Sequence, residues 1–409
     1  MPEGWRRLAI EEMACQRTEK VRPARDDQTP YVALEHIPNG GGRLLGMDIA
    51  GSAMSHKTRF SAGDTLFGKL RPNLRKVVRA QFDGVCSTDI LAVAAKNGTD
   101  AAFLYQLLAS DVAHRHVMGD ITGTKMPRTS WERLADLSVS CPSLPEQRAI
   151  AAVLDAVDDT IERTEAVIAA TEDLRRSLLH ELLTRGVPGM HSEWKHVPGL
   201  GTVPACWEVT TLGECLERIE AGRSPLCESR PARGDEWGVL KVSSVSWGEF
   251  RPNENKALLP EAKPDSRYEV KPGDLLLSRA NTPDLVGRAV LVRNTPSRLL
   301  LSDKTLRLLP KSARTNTEFL LLALGTPSAR TQISGAASGS SRSMFNVSQE
   351  ALRLVRFALP SLDEQRCIAE ALQAVAAAQG AKEDEIAEAK MLKATLAEGL
   401  LSGRVRVAI

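Results

Sequence analysis

The sequence predicts an α+β protein in which one structural plan occurs twice and each copy ends in a long helix. Three observations support this fold class: short β-type runs separated by turns, a segment that is repeated in the same order, and two long amphipathic stretches. With 409 residues, the chain is long enough to form more than one hydrophobic core.

The internal repeat is clearest where each amphipathic stretch begins. Residues 145–151 read PEQRAIA, and residues 363–369 read DEQRCIA. Upstream, GDTLF at residues 63–67 returns as GDLLL at residues 273–277, with a different spacing from the first pair. Because the order is kept while the spacing drifts, we interpret the chain as two copies of one plan with loops of different length.

The first amphipathic stretch covers residues 145–185, and the early steps between its seam positions alternate between four and three. This is heptad spacing, and no proline or glycine interrupts it after Pro145. Gly186 and Pro188 are a stop signal, so the stretch predicts a helix of about forty residues, roughly 60 Å long. The predicted seam is Ile150, Leu154, Val157, Ile161, Thr164, Ile168, Thr171, Leu174, Leu178 and Leu182.

The second stretch is less apolar and contains Gly380 in its middle. A helix of this length needs a partner along its whole face, and neither stretch has another candidate of comparable length nearby. We therefore expect the two helices to pack on each other, the alternative being that each packs on its own globular part. The second predicted seam is Ile368, Leu372, Val375, Gln379, Lys382, Ile386, Ala389, Leu392, Leu396 and Leu400.

The globular parts combine strands with one apolar helix each. Residues 30–100 and 237–310 contain β-type runs between Gly-, Pro-, Asn- and Asp-rich turns, and residues 101–110 and 317–325 each predict a helix. The predicted organisation is a first domain over 1–143, a helix over 144–186, a connector over 187–206, a second domain over 207–358, and a helix with the C-terminal tail over 359–409.

Composition excludes several classes of protein. The hydrophobic fraction of 43% and the charged fraction of 25% are those of an ordinary globular chain. No apolar run approaches the roughly 18–20 residues of a membrane helix, and the N-terminus lacks a signal-peptide pattern, so we expect a cytoplasmic protein. The net charge of +2 is not by itself the signature of a nucleic-acid-binding protein.

Motifs for catalysis and metal binding are absent from the sequence. There is no phosphate-binding GxxxxGK[ST], no HExxH and no GxSxG, so no catalytic residue and no metal ligand is predicted. Asp265, Glu269 and Lys271 resemble a nuclease pattern, but their close spacing fits the approach to a turn better. His114 and His116 are more typical of a surface or core pair than of a metal site.

Basic and small polar residues recur at matching places in the two copies. In each copy they follow the Gly-Asp turn, and a second polar and basic segment comes later, at residues 123–130 and 339–348. These residue types bind phosphates and base edges, and their recurrence favours DNA binding over an ordinary solvated face. The candidate DNA-binding residues are Lys57, Arg59, Lys69, Arg71, Asn73, Arg75, Lys76, Lys125, Arg128, Arg279, Asn281, Thr282, Lys304, Ser341 and Arg342.

On these motifs, the sequence resembles the specificity subunit of a type I restriction–modification system. The resemblance covers nearly the whole chain and is most specific in the helical segments. The segments that carry it are LPEQRAIA at 144–151, ELLTRG at 181–186, GDTLFGKLRP at 63–72, CSTD at 86–89, GDLLLSR at 273–279 and LLSGRV at 400–405.

The resemblance implies a specific architecture and function. Two target-recognition domains would each read one half of a bipartite DNA sequence, separated by an antiparallel coiled coil in a pseudo-two-fold internal repeat. Two methyltransferase subunits and the restriction/translocase subunits would be the partners. The chain itself would be non-catalytic and need no cofactor, since S-adenosylmethionine, ATP and magnesium belong to those partners. A coiled-coil scaffold that never touches DNA, and a fragment of a fused restriction enzyme, remain the alternatives.

Overall fold

The computed structural model describes residues 3–53, 55–119, 127–341 and 344–408. Within them, the helices are α1 (Ile10–Met13), α2 (Ala101–Ala109), α3 (Asp111–Met118), α4 (Trp131–Ala135), α5 (Leu144–Thr184), α6 (Leu212–Cys215), α7 (Thr317–Gly325), α8 (Pro327–Ala336), α9 (Gln349–Arg353) and α10 (Leu362–Ser402). The helices predicted at residues 101–110 and 317–325 are confirmed as α2 and α7. Both long amphipathic stretches are single helices, α5 and α10.

The strands are short and numerous. Those of the described residues are β1 (Arg6–Ala9), β2 (Ala14–Gln16), β3 (Lys20–Val21), β4 (Pro30–Val32), β5 (Asp48–Ile49), β6 (Lys57–Phe60), β7 (Thr65–Gly68), β8 (Val77–Arg79), β9 (Gly84–Cys86), β10 (Ile90–Ala95), β11 (Ser138–Cys141), β12 (Trp194–Val197), β13 (Gly201–Pro204), β14 (Glu208–Thr211), β15 (Leu216–Ala221), β16 (Gly238–Leu240), β17 (Asn255–Ala257), β18 (Leu275–Ser278), β19 (Ala280–Asn281), β20 (Ala289–Leu291), β21 (Leu299–Leu300), β22 (Thr305–Pro310), β23 (Ser338–Ser341), β24 (Met344–Asn346) and β25 (Arg356–Leu359). Together with the helices they make the α+β fold that the sequence predicts.

The chain divides into two compact units. The first consists of Met1–Ala170 with Gly380–Ile409, and the second of Thr171–Gln379. Each unit therefore contains one globular part, one part of α5 and one part of α10. The five-part division predicted from the sequence separates the helices from the globular parts, and those boundaries stay a prediction.

A four-stranded antiparallel sheet forms the centre of the first unit, in the order β2-β10-β7-β8. Alternate side chains of β7 enter different cores, because successive residues of a strand point to opposite faces. Phe67 packs in the core that contains Phe103 of α2, whereas Leu66 packs in a second core with Phe60 of β6. Strand β6 belongs to a five-stranded sheet in the order β3-β6-β9-β4-β5, and β1 pairs with β11.

The second unit repeats this arrangement. Its four-stranded sheet has the order β15-β22-β18-β20, with Leu277 in the core of Phe319 from α7 and Leu276 in a separate core. Strands β17-β16-β21 and β19-β24-β23 form two smaller sheets, and β14 pairs with β25 as β12 does with β13. The matching order of the two central sheets confirms the internal repeat at the level of topology.

The repeated Gly-Asp pair makes the same turn in both units. Gly63 and Gly273 have φ values of 90° and 93°, a region that glycine enters without steric cost. The carboxylates of Asp64 and Asp274 each accept a hydrogen bond from the backbone amide three residues earlier, both at 2.9 Å. The pair is therefore kept in both copies because it closes the turn that starts β7 and β18.

The repeated glutamine joins the start of each long helix to its globular part. Gln147 accepts a hydrogen bond from the backbone amide of Asp100 at 2.8 Å, and Gln365 accepts one from Asn316 at the same distance. Each glutamine also donates to the backbone carbonyl five residues earlier. Asp100 and Asn316 are the N-caps of α2 and α7. The glutamine therefore joins the start of α5 to the start of α2 in the first copy, and the start of α10 to the start of α7 in the second.

Replacing Gln365 by leucine is expected to lower the free energy of unfolding by about 2 kcal/mol, because buried backbone groups lose their hydrogen bonds. The side chain is completely buried, so water cannot replace these bonds. The measurement is the urea midpoint of the full chain. Gln373→Leu is the matched control, since Gln373 is exposed on the same helix and should change the free energy of unfolding by less than about 0.5 kcal/mol. Equal shifts in the two variants would contradict the joining role.

The part of α5 that belongs to a unit contacts the part of α10 that belongs to the same unit. In the first unit, Ile150 and Leu154 share a core with Leu400, and Lys393 forms an ion pair with Asp158 at 2.6 Å. In the second unit, Leu182 shares a core with Ile368 and Leu372 from the beginning of α10. The start of one helix thus lies beside the end of the other in both units, which confirms that the two helices pack together and run antiparallel.

The predicted seams are wrong at two positions, where the leucine expected to be buried is exposed. Leu174 is 57% exposed and Leu392 is 55% exposed, whereas Arg175 and Lys393 lie partly buried next to them. Strict alternation of four and three leads from Thr171 to position 175, and from position 389 to 393. In each helix, a charged residue therefore lies at the seam position, and the leucine that precedes it faces solvent.

Candidate nucleic-acid interface

An exposed basic loop follows β7 in the first unit. Arg71 and Arg75 stand on either side of the 3-10 turn Pro72–Leu74, with φ values of 53° and 51°. The left-handed conformation costs a residue with a side chain roughly 1–2 kcal/mol, and such strain persists only where the surrounding structure imposes it. Asn73 is exposed within the turn, so the loop presents polar and basic side chains to solvent.

Two backbone hydrogen bonds hold the start of this loop. Lys69 N–H donates to the carbonyl of Asp89 at 2.8 Å, and Thr129 N–H donates to the carbonyl of Lys69 at 2.9 Å. Leu70 forms a β-bridge with Arg128, whose side chain is 64% exposed and pairs with Asp89 at 3.3 Å. The fold thus brings Arg128 beside the loop, and Lys69, Arg71, Asn73 and Arg128 form what we term the first basic surface.

The second unit builds a surface in the same way. Arg279 N–H donates to the carbonyl of Lys304 at 2.9 Å, and Val347 N–H donates to the carbonyl of Arg279 at 3.0 Å. These two bonds correspond to the pair made by Lys69, with the same strand order around them. Arg279, Asn281 and Lys304 form the second basic surface.

Asn281 is held in place by two hydrogen bonds. Its Nδ2 donates to Ser246 Oγ at 2.7 Å, and its Oδ1 accepts from the backbone amide of Thr282 at 2.9 Å. Thr282 is half-buried directly after it. Ser246 was not predicted from the sequence, because nothing in the chain near it marks a contact with a residue 35 positions away.

Two predicted lysines use their ammonium groups inside the first unit. Lys57 is only 5% exposed, and its Nζ donates to Ser55 Oγ at 2.7 Å and lies over the ring of Tyr31. Lys76 Nζ donates to the backbone carbonyls of Leu34 and Ile37. The structure therefore does not bring these two charges to the first basic surface.

The remaining candidates differ in their surroundings. Arg59 lies on β6 and pairs with Glu19 at 3.0 Å, and Arg75 pairs with Asp111 of α3. Ser341 ends β23, and nothing further is described of its side chain. The two other candidates, Lys125 and Arg342, lie outside the described residues.

Comparison with known proteins finds one class of relatives. The family profile described as the type I restriction modification DNA specificity domain matches residues 28–172. The specificity subunit of the type I restriction enzyme EcoEI from Escherichia coli is 36% identical over 159 residues, which cover 39% of this chain and 27% of that protein. The MjaVIII specificity subunit from Methanocaldococcus jannaschii is 24% identical over 335 residues, which cover 79% of this chain and 75% of that protein.

The chain is thus similar to the specificity subunits of type I restriction enzymes. Two solved structures share its fold. One, from a study of assembly and conformational transition of a type I R-M system, has a TM-score of 0.59 at 21% identity and covers 99% of both chains. The other, the type I S subunit from M. genitalium, has a TM-score of 0.57 at 14% identity and covers 97% of this chain and 96% of that one.

Each basic surface has an acidic neighbour. A hydrogen bond from the Ser130 hydroxyl, with a further contribution from Lys69, keeps the pKa of Glu132 below its ordinary value. The pKa of Glu350 is lowered by its own backbone amide, then by the Ser348 hydroxyl, with Arg279 contributing. Both carboxylates are therefore charged at neutral pH, which limits the net positive charge of each surface.

The nuclease-like pattern does not form one site. Asp265 pairs with Arg267 at 2.7 Å, whereas Glu269 accepts a hydrogen bond from the backbone amide of Arg298 at 2.8 Å. Among the described residues, no group of three or more His, Cys, Asp or Glu side chains is placed to hold a metal ion. None of the helices in the described ranges combines the length and the apolar character needed to cross a bilayer.

Proposed function

We propose that this chain is the DNA sequence-recognition subunit of a type I restriction–modification complex. The first basic surface binds one half of a bipartite duplex target, and the second basic surface binds the other half. The chain directs methyltransferase and restriction subunits to that target and performs no catalysis itself. It acts in the cytoplasm, where its DNA substrate and these partners are found.

One observation carries the DNA-binding part of this proposal. In each unit, the residue that follows the strand after the Gly-Asp turn makes the same two backbone hydrogen bonds, at Lys69 and at Arg279. Both residues are basic and lie beside a further exposed cation, Arg128 or Lys304. Two surfaces with the same backbone arrangement suit two half-sites, because each can bind the phosphate backbone and present polar groups to base edges.

The proposed partners follow from the similarity to specificity subunits. The relatives are specificity subunits of restriction enzymes, which implies separate subunits for the chemistry. We propose two methyltransferase subunits and the restriction/translocase subunits as partners, and these subunits hold S-adenosylmethionine, ATP and magnesium. A scaffold that never touches DNA would need neither of the two basic surfaces.

Arg71→Gly combined with Arg128→Gln is expected to reduce the salt dependence of binding to mixed-sequence duplex DNA. Each lost phosphate contact lowers the slope of log K against log salt by about 0.9, so the pair should lower it by about two. Glycine at position 71 accepts the left-handed backbone, which keeps the fold intact. Binding is measured by fluorescence anisotropy across a range of salt concentrations.

The control is Arg176→Gln, which removes a charge that is 72% exposed on α5 and should leave the slope unchanged. Arg279→Gln with Lys304→Gln is the matched change in the second unit. In cells, each double variant should lower the extent of methylation at the bipartite motif without changing its bases, read by sequencing of modified bases. An unchanged slope in both double variants would favour the scaffold.

A further inference from the structure

A cysteine, a histidine and a glutamate form a hydrogen-bonded row in the second unit. Cys206 Sγ lies 3.4 Å from His191 Nδ1, and His191 Nε2 lies 2.7 Å from Glu364 Oε1. The side chains of His191 and Glu364 are only 7% and 3% exposed, whereas Cys206 is exposed. A nucleophile at the surface is thus connected to a buried base, which is in turn connected to a buried carboxylate.

The buried end of this row is held rigidly. Glu364 also accepts hydrogen bonds from the indole Nε1 of Trp207 at 2.9 Å and from the backbone amide of Val187 at 3.1 Å. The rings of Trp194 and Trp207 meet the imidazole edge-on, with centroids 6.3 and 6.0 Å away. The orientation of the imidazole is therefore set before any reagent arrives, with Nε2 directed at the carboxylate and Nδ1 at the thiol.

A lysine holds the backbone on both sides of Cys206. Lys195 of β12 donates from Nζ to the backbone carbonyl of Ala205 at 2.9 Å and to that of Trp207. It thereby clamps the turn that carries Cys206. Glu364 and Lys195 are thus the charged side chains whose hydrogen bonds hold His191 and the turn of Cys206.

The first unit shows that the fold does not need this arrangement. Its equivalent buried carboxylate, Glu146, accepts from the indole of Trp5 at 3.0 Å and pairs with Arg406 instead of a histidine. An arginine therefore satisfies the carboxylate, and the repeat places Gly4 where the second copy has Cys206. Only the second unit combines an imidazole with a thiol at this position, within the residues that the structure describes.

We propose that Cys206 is a reactive thiol that is oxidised by hydroperoxides, with His191 as its base and Glu364 as a positioning residue. The arrangement of nucleophile, base and orienting carboxylate is the one that activates cysteine in enzymes. The thiol proton passes to His191 Nδ1, and sulfur attacks the terminal peroxide oxygen. As the S–O bond forms, the O–O bond breaks and the leaving oxygen takes the proton from the imidazole. Sulfur is oxidised to sulfenic acid, and the peroxide is reduced to an alcohol or water.

The test is the alkylation of the full-length chain by iodoacetamide at pH 6, followed by peptide mass spectrometry. Only about 0.3% of an ordinary thiol is ionised at that pH. Cys206 is expected to react at least about tenfold faster than Cys15 and Cys367, which are also exposed and serve as internal controls. At pH 9 the difference between the three rates should shrink, because an ordinary thiol is then largely ionised without help from a base.

His191→Gln should reduce the rate of Cys206 at pH 6 to that of the two controls. Hydrogen peroxide followed by dimedone should label Cys206 first in the unmodified chain and lose that preference in the variant. Equal rates for the three cysteines in the unmodified chain at pH 6 would overturn the proposal, and this comparison does not depend on the variant folding.

Discussion

Replacing Glu364 by alanine is expected to lower the free energy of unfolding by about 3–5 kcal/mol, the range found when one partner of a buried pair is removed. The carboxylate is 3% exposed and receives hydrogen bonds from His191, Trp207 and Val187. Alanine would leave all three donors without an acceptor and would open a cavity next to the start of α10. The penalty therefore combines lost hydrogen bonds with lost packing.

Asp363 is the natural control for this prediction because it precedes Glu364 on the same helix. Its side chain is 91% exposed and pairs only with Arg366 on the surface, so Asp363→Ala should change the free energy of unfolding by less than about 0.5 kcal/mol. Urea unfolding gives the comparison, and hydrogen exchange of residues 187–216 locates the change in the second unit. Similar midpoints for the two variants would show that the buried carboxylate is not a structural anchor.

Arg307→Ala is expected to have an effect of similar size, about 3–5 kcal/mol. The side chain of Arg307 is 10% exposed and pairs with Glu220 at 2.7 Å and with Asp274 at 2.9 Å. It also donates to the backbone carbonyls of Arg267 and Glu269. Removal of this guanidinium would leave two partly buried carboxylates facing each other at the turn that starts β18.

The matched control for this variant is Arg218→Ala. Arg218 also pairs with Glu220, at 2.7 Å, but it is 61% exposed, and an exposed pair of this kind contributes at most about 1 kcal/mol. Thermal unfolding of the full chain distinguishes the two variants. The prediction fails if loss of the buried arginine costs no more than loss of the exposed one.

The same network has a pH signature. Burial alone would raise the pKa of Glu220, but hydrogen bonds from Arg218 and Arg307 hold it below its ordinary value. A lowered carboxylate pKa contributes stability above the unfolded value of about 4.3, and this stability is lost as the pH falls through the folded value. The difference in stability between the native chain and Arg307→Ala should therefore narrow below about pH 4.

Much of the fold could be predicted from local patterns. The two long helices, the helices α2 and α7, and the repeat itself were readable because each leaves a periodic or duplicated signal along the chain. The Gly-Asp turns were visible as a repeated pair, although their hydrogen bonds were not. The two exposed leucines, Leu174 and Leu392, show the limit of such patterns. Their hydrophobicity predicted that they lie in the seam, but heptad geometry places the next residue there.

The candidate site depended more on tertiary structure. The sequence placed basic residues at matching positions of the repeat, which is local information. Distant groups decided where a charge lies. The ammonium group of Lys76 donates to two backbone carbonyls about forty residues away. Arg128 is brought beside the basic loop by its β-bridge with Leu70. The row formed by Cys206, His191 and Glu364 likewise joins three separate segments. Periodicity determines which face of an element is buried, but only the packing of those elements determines which distant polar groups meet.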